Sequence, residues 1–499
     1  MRRQRPTSIV AALAVVCMLT ACTGAEGTDN GAPQATAEAD RPHTHGPARG
    51  DWTEPGLVDR TGEAITVHRP KSASGTSWDA TNFGADPTAG SGDDAPAIRD
   101  ALAAAEKGDE VLLPPGIYDL RSAHPDDDSA NILLRSGVDL RGAGATKTVL
   151  VTSFDGEDDS RVLRGVGIRD VIVAELAVTS RHDGPLGDDP KDTDAGGGPM
   201  YGIHLGARDG RASSRVLVEN VSVEKFQRHG ISAKATREVI LAGNDISGAT
   251  GVGPGGQGYG IAIEGKADQR DPDLQDDSRH NVVVGNTFDG EHLRHAILLQ
   301  FATHNNLVAN NTVTGSILDA IDLHGEGEYL NEVRGNSVTG GQEAAIALGN
   351  SGGAKNKHDA AGERNWVHHN RLEDNRTGIL VILGTPDTLI ENNEITGGER
   401  SATGIEVRNG PRTKIHGNTI TDGTDDDFWA IRLLSDDGAD GRGRGVPEGV
   451  AITANTILRA ANGIRVDAAE DVDLTDNVLK GIGGTKLRIA EDVTGDRRR

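Results

Sequence analysis

Short phrases of alternating apolar and polar residues recur down the chain: HGISA, YGIAI, HAILL, DAIDL, AAIAL, TGILV, TGIEV, WAIRL and NGIRV. Apolar residues at every second position turn one face of an extended segment inward, which predicts strands; helices would need apolar spacings of three and four. A second set, ENVSV, GNDIS, GNTFD, NNTVT, GNSVT, HNRLE, NNEIT, GNTIT, ANTIL and DNVLK, alternates with the first. Its asparagines are Asn220, Asn244, Asn286, Asn311, Asn336, Asn370, Asn393, Asn418, Asn455 and Asn477, with successive gaps of 24, 42, 25, 25, 34, 23, 25, 37 and 22 residues. The basic period is therefore 22 to 25 residues, with insertions in three gaps, a repeat length that predicts stacked coils. Asparagine suits the turn between strands because it tolerates left-handed backbone, and stacked asparagines can bond to one another as a ladder. The pattern predicts an all-β solenoid, a right-handed single-stranded parallel β-helix of ten or more coils.

The stretch 78–120, WDATNFGADPTAGSGDDAPAIRDALAAAEKGDEVLLPPGIYDL, supplies the N-terminal end. Asp94 is placed to cap a helix, Pro96 fits its first turn, and Ile98, Leu102 and Ala105 form its apolar stripe. The order FGAD, acid-capped helix, LPPGIY resembles the opening of pectate-lyase-like β-helix proteins, and SGVDLRGAGATKTVLV at 136–151 continues it. The resemblance covers roughly residues 78 to 490. It implies this fold, with the helix plugging the first coil and shielding its edge, and a polysaccharide-active function shared among lyases, epimerases, hydrolases and phage depolymerases.

The N-terminus adds a location. A basic start (Arg2, Arg3, Arg5), an apolar run from Ile9 to Leu19 and the sequence Leu19-Thr20-Ala21-Cys22 have the layout of a secretory leader. The last four residues resemble a bacterial lipobox, which implies acylation of Cys22 and a lipoprotein held at the cell membrane outside the cytoplasm. Expected segments are a signal peptide at 1–21, a flexible linker at 22–72 rich in Gly, Ala, Pro and charge, a cap at 73–120, the β-helix at 121–492 and a basic tail at 493–499. Cys17 is the only other cysteine, so a mature chain would have no disulfide. The formal charge of −25 argues against nucleic acid as a partner, and 3% aromatic residues with 67 glycines suit a solenoid, expected to be monomeric.

Equivalent residues on stacked coils lie about 4.8 Å apart, so the aligned phrases can be read as columns. Two before the frame isoleucine run Tyr201, His229, Tyr259, His295, Asp319, Ala344, Thr377 and Thr403. One after it run His204, Ser232, Ala262, Leu298, Asp322, Ala347 and Leu380; three after it, Gly206, Lys234, Glu264, Gln300, His324, Gly349 and Ile382. Reactive side chains concentrate between Tyr201 and His324. Lys234, Glu264, Gln300 and His324 would form a track about 14 Å long, with the insertions at 247–278 and 351–363 as walls; a third, at 434–448, lies further along.

Asp322 and His324 are two apart on a strand and share a face, where the carboxylate can orient the imidazole and raise its basicity. Asp-x-His here resembles the Asp-Pro-His element of alginate C5-epimerases. Leu323 replaces the proline, and Asp319 stands where those enzymes carry a tyrosine, a loss for which Tyr259 or His295 is the candidate substitute. The resemblance implies proton abstraction at C5 of a uronic acid in an anionic polysaccharide, by lyase or epimerase chemistry. Expected roles are His324 as base, Asp322 as its partner, and Asp319, His295 or His229 as acid. Lys234 or Gln300 would meet the substrate carboxylate, with Glu264, Tyr259 and His204 lining the groove.

Two alternatives remain. Asp319, Asp322 and Glu264 offer carboxylate pairs for an inverting glycoside hydrolase of polygalacturonase type, although the Asn-Thr-Asp and Gly-His-Gly elements of polygalacturonases are absent. A non-catalytic carbohydrate-binding surface solenoid needs only the groove. No metal ligand set is assigned; calcium is the one cofactor that the acidic loop DQRDPDLQDD (268–277) or the glutamates Glu326, Glu328 and Glu332 allow for. These glutamates read more simply as a solvated turn.

Overall fold

The computed structural model describes residues 52–58 and 64–498 except 91, 157–158, 194–195, 266–277, 302, 326, 351–359, 439–441, 492 and 496. Three parallel sheets carry the chain: sheet I with 15 strands, from Ser77–Asp79 to Arg497–Arg498; sheet II with 13, from Gly116–Leu120 to Val478–Lys480; and sheet III with 13, from Ala130–Leu133 to Leu487–Ile489. Each turn of chain contributes one strand to each sheet in order, and each strand pairs with its equivalent one coil later. The result is a right-handed parallel β-helix, the hand that parallel crossovers take.

The alternation seen in sequence is the wall of this tube. Ile203, Ile231, Ile261, Ile297, Ile321, Ile346 and Ile379 face one another coil to coil on sheet III. All are fully buried, and they stack within a single core that runs the length of the solenoid. The small residue before each isoleucine follows from this packing. A Cβ at Gly260 would lie 2.6 Å from the carbonyl oxygen of Ala296, and one at Gly404 would lie 2.5 Å from that of Ala430.

An asparagine ladder lines the corner between sheets I and II. From Asn244 through Asn286, Asn311, Asn336, Asn370, Asn393, Asn418 and Asn455 to Asn477, each side-chain amide donates to the next Oδ1 at 2.9–3.0 Å. Two expectations are corrected here. The ladder asparagines do not take the left-handed backbone; the residue before each does, as at Gly243 (φ 62°), Asn310 (φ 54°) and Ala454 (φ 55°). Asn220 belongs to that preceding position, because Glu219 pairs with Ala242 and Ser222 with Asp245, which sets Val221 opposite Asn244. A second ladder, Asn281–Asn306–Asn331–Asn365, holds the corner leading into sheet I.

The expected helix forms at Ala95–Ala104, with Pro96 in its first turn and Ile98, Leu102 and the following Ala105 buried. Asp94 does not cap it. Its backbone is already helical, and its buried carboxylate instead accepts the N–H groups of Asp86 (2.8 Å) and Asp119 (2.7 Å), tying the first coil together. The segment boundaries also move. Trp52–Val58 and Ala64–Val67, inside the expected linker, pair as an antiparallel ribbon. Coiling starts at Ser77–Asp79, inside the expected cap, and Arg497–Arg498 of the expected tail pair with Asp473 and Leu474. The signal peptide and Cys22 lie outside the described residues, as do the whole acidic loop at 268–277 and residues 351–359. No helix among the described residues is long and apolar enough to cross a membrane.

Candidate functional site

Strands His229–Lys234, Tyr259–Glu264, His295–Gln300 and Ile321–Leu323 of sheet III build the site. Their inward residues are committed to the core, so the outward ones form columns. The register pairs Tyr201 with His229, His229 with Tyr259 and Tyr259 with His295; it pairs Lys234 with Glu264 and Glu264 with Gln300. Leu298 pairs with Asp322 and Leu299 with Leu323, which sets His324 beside Gln300 and Asp319 beside His295.

At the end of these columns Asp322 is fully buried between two imidazoles. Nδ1 of His324 lies 2.5 Å from its Oδ2, so this ring donates to the carboxylate and keeps its lone pair on Nε2. Nδ1 of His295 lies 2.7 Å from the backbone oxygen of Asp319 and must donate there; its bare Nε2 then faces Oδ2 of Asp322 at 3.6 Å. Burial pushes His295 down to about 4, so it is neutral at neutral pH. Asp319 moves the other way. Burial, then the charge of Asp322, pushes it up to about 7, while its Oδ1 accepts the N–H of Ala344 at 3.0 Å. Asp319 can therefore hold a proton near neutrality where His295 cannot, which narrows the expected set of acids.

A second cluster lies two coils earlier. Glu264, 3% exposed, stands 3.6 Å from Nδ1 of His229 and 4.0 Å from Nζ of Lys234, and it accepts the Ser232 hydroxyl at 3.4 Å. Ser232 also meets Nδ1 of His204 at 3.3 Å. Burial holds His229 and His204 well below the usual histidine range, so neither is a proton donor at neutral pH, and it raises Tyr259 so that its hydroxyl stays protonated. Rings bridge the two clusters: His229 on Tyr259 at 5.2 Å, Tyr259 on His295 at 5.3 Å and His295 on His324 at 5.8 Å. Lys234 is the exposed member, its ammonium 5.7 Å over the ring of Phe301.

Residues from outside the columns complete the site. The side-chain amide of Asn350 lies 3.0 Å from Nδ1 of His324, and Arg161 sits 5.1 Å over the Tyr201 ring. Asn350 follows its frame isoleucine by four, and Arg161 lies on the coil before Tyr201, so neither falls within the three columns. The glutamates of the next turn are corrected. Glu328 is buried and accepts the N–H of Gly325 at 3.1 Å, and Glu332 is 2% exposed and bonded to His368; neither faces water. Glu326 lies outside the described residues.

Ligand atoms of His295, Asp322 and His324 all lie within 4.8 Å of one another. Two imidazoles and one carboxylate are donors for a zinc-type ion, whereas calcium prefers an all-oxygen shell. The same three groups can thus act as a base with its orienting acid, or hold a transition metal.

Solved structures with this fold are diverse. The catalytic unit of a thermostable GH87 α-1,3-glucanase from Streptomyces thermodiastaticus strain HF3-3 matches with TM-score 0.51 and 17% identity, over 87% of this chain and 71% of that one. PfbA, a surface adhesin of Streptococcus pneumoniae, matches with TM-score 0.50 and 14% identity over 85% and 90%. The PL6 family alginate lyase AlyGC matches with TM-score 0.50 and 16% identity over 79% and 52%. A hydrolase, an adhesin and a lyase thus share the scaffold, and at these identities they speak for fold alone. No curated protein matches the chain in sequence. The model of the family described as "Right handed beta helix region" matches residues 201–385 and 359–494, more than half of the chain, and the chain belongs to that family.

Proposed function

We propose that this protein is an extracytoplasmic polysaccharide-active enzyme that removes the C5 proton of a uronic-acid residue, as a lyase or a C5-epimerase. The observation that carries the reading is the Asp322–His324 pair at 2.5 Å, which leaves Nε2 of His324 as a lone-pair nitrogen on the outer face of the solenoid. His324 takes the proton from C5, and the electron pair moves into the adjoining carboxylate. Lys234 and Gln300 face that carboxylate and offset its charge. Asp319, held up to about 7, or the protonated Tyr259 then supplies a proton. Delivery to the opposite face of C5 inverts it; delivery to the departing 4-linked oxygen breaks the chain and leaves a C4–C5 double bond. Acylation of Cys22 would keep the enzyme at the outer surface of the cell membrane, and the leader pattern supports this.

The test is incubation with a polysaccharide panel while following unsaturated-uronate absorbance, reducing ends and solvent deuterium at C5. Unsaturated ends indicate a lyase, and deuterium without cleavage an epimerase. New reducing ends without unsaturation would replace this reading with hydrolysis, and binding with none of the three would replace it with a non-catalytic solenoid.

A further inference from the structure

Sheet I has its own outward column. Ile172, Leu217, Ile240, Val282 and Leu307 pair coil to coil and are buried in one cluster with Ile65 and Val67 of the N-terminal ribbon. Past Leu307 the same column changes character and runs Glu332, Trp366, Leu389, Lys414. These four residues, with Arg364 and Arg412, line a cavity of about 610 Å³. Glu332 and Lys414 are three coil steps apart, about 14 Å.

The cleft is built from ordered parts. Trp366 is half-buried; His368 stacks on its ring at 3.9 Å, and its Nε1–H donates to Glu391 at 3.1 Å. Oε1 of Glu332 accepts from Nε2 of His368 at 2.8 Å and forms an ion pair with Arg334, whose Nε lies 3.0 Å away. Its Oε2 is buried and has no hydrogen-bond partner among the described residues. Arg412 is neutralised by a two-point pair with Asp387 at 2.6 and 2.8 Å. Arg364 and Lys414 are exposed and have no ion pair among the described residues, on a chain whose formal charge is −25.

An aromatic platform beside two exposed cations, which with Arg412 outnumber the carboxylate of Asp387 among them, matches one chemistry. We propose that this cleft binds a hexuronate segment of an anionic polysaccharide. The C–H face of a pyranose ring lies on Trp366, and a uronate carboxylate meets Lys414 and Arg364. A site on sheet I would hold a polymer while another part of it is processed on sheet III. The proposal shares the uronate substrate class with the function proposed above but requires no turnover.

The experiment titrates the full chain carrying H324A with a mannuronate hexamer, reading calorimetry and tryptophan fluorescence. The expected result is binding that weakens about tenfold or more in W366A and in the surface double variant R364Q/K414Q. A neutral glucose hexamer should bind at least about tenfold more weakly. Affinity within twofold of the parent in the R364Q/K414Q variant, or equal affinity for the neutral hexamer, would overturn the proposal, and neither readout depends on W366A folding. Binding lost in R364Q/K414Q, with no uronate turned over by the protein that keeps His324, would uphold the cleft and overturn the active-site reading alone.

Discussion

Asp322 and His324 stand two residues apart on one strand of sheet III, and the carboxylate of the first meets Nδ1 of the second at 2.5 Å. Asp322 is fully buried, and the contact fixes the ring of His324 with Nδ1 toward the carboxylate.

Replacing either partner should therefore separate catalysis from folding. H324A is expected to lose turnover by about 10²–10⁴-fold, and D322N to lose less, because the ring keeps its place but not its basicity. The check is initial rate alongside the thermal midpoint. A variant that keeps wild-type rate removes His324 from the mechanism.

Two neighbours respond oppositely to pH. Asp319, pushed up to about 7, binds its proton more tightly folded than unfolded; its contribution is complete below the ordinary carboxylate range near 4 and fades as pH rises through 7. His295, pushed down to about 4, contributes fully above 6.5 and loses that contribution as pH falls to 4. Between 4 and 6.5 the two slopes offset each other. D319N removes the first, so its stability relative to wild type should rise between pH 4 and 8. Urea midpoints measured at unit pH steps check this; a constant difference would refute it.

Zinc should compete with the proposed base. Micromolar Zn²⁺ held by His295, Asp322 and His324 would occupy the lone pair that takes the proton, so it is expected to inhibit and EDTA to restore activity. H295A should weaken the inhibition about tenfold or more, since it removes one of three ligands. Activation by zinc, or loss of activity to EDTA alone, would reassign the trio as a working metal site.

The asparagine ladder makes a stability prediction. Asn311 donates to Asn336 and to the carbonyl of Val283, and its Oδ1 accepts both the backbone N–H and the amide of Asn286. N311A leaves several buried groups unpaired and should cost on the order of 3 kcal/mol or more. N220G, which keeps the left-handed backbone and loses one bond to Glu175, should cost under about 1 kcal/mol. Chemical denaturation of the two variants decides it.

Sequence by itself determined the strands, the coil period, the three outward columns and the nearness of Asp322 to His324. The reason is physical: in a parallel solenoid a residue's neighbours are its equivalents one period away, so register follows from repeat length. Tertiary structure decided what the period does not encode. Asn220 slipped one place against Asn244 because only pairing across coils fixes a frame through a turn. Asp94 turned from a cap into a tie between Asp86 and Asp119, and Glu328 and Glu332 are covered rather than solvated, because burial depends on what packs over a residue. The protonation of Asp319 and His295, and the cleft at Trp366, likewise arise from groups brought together by stacking rather than by sequence order.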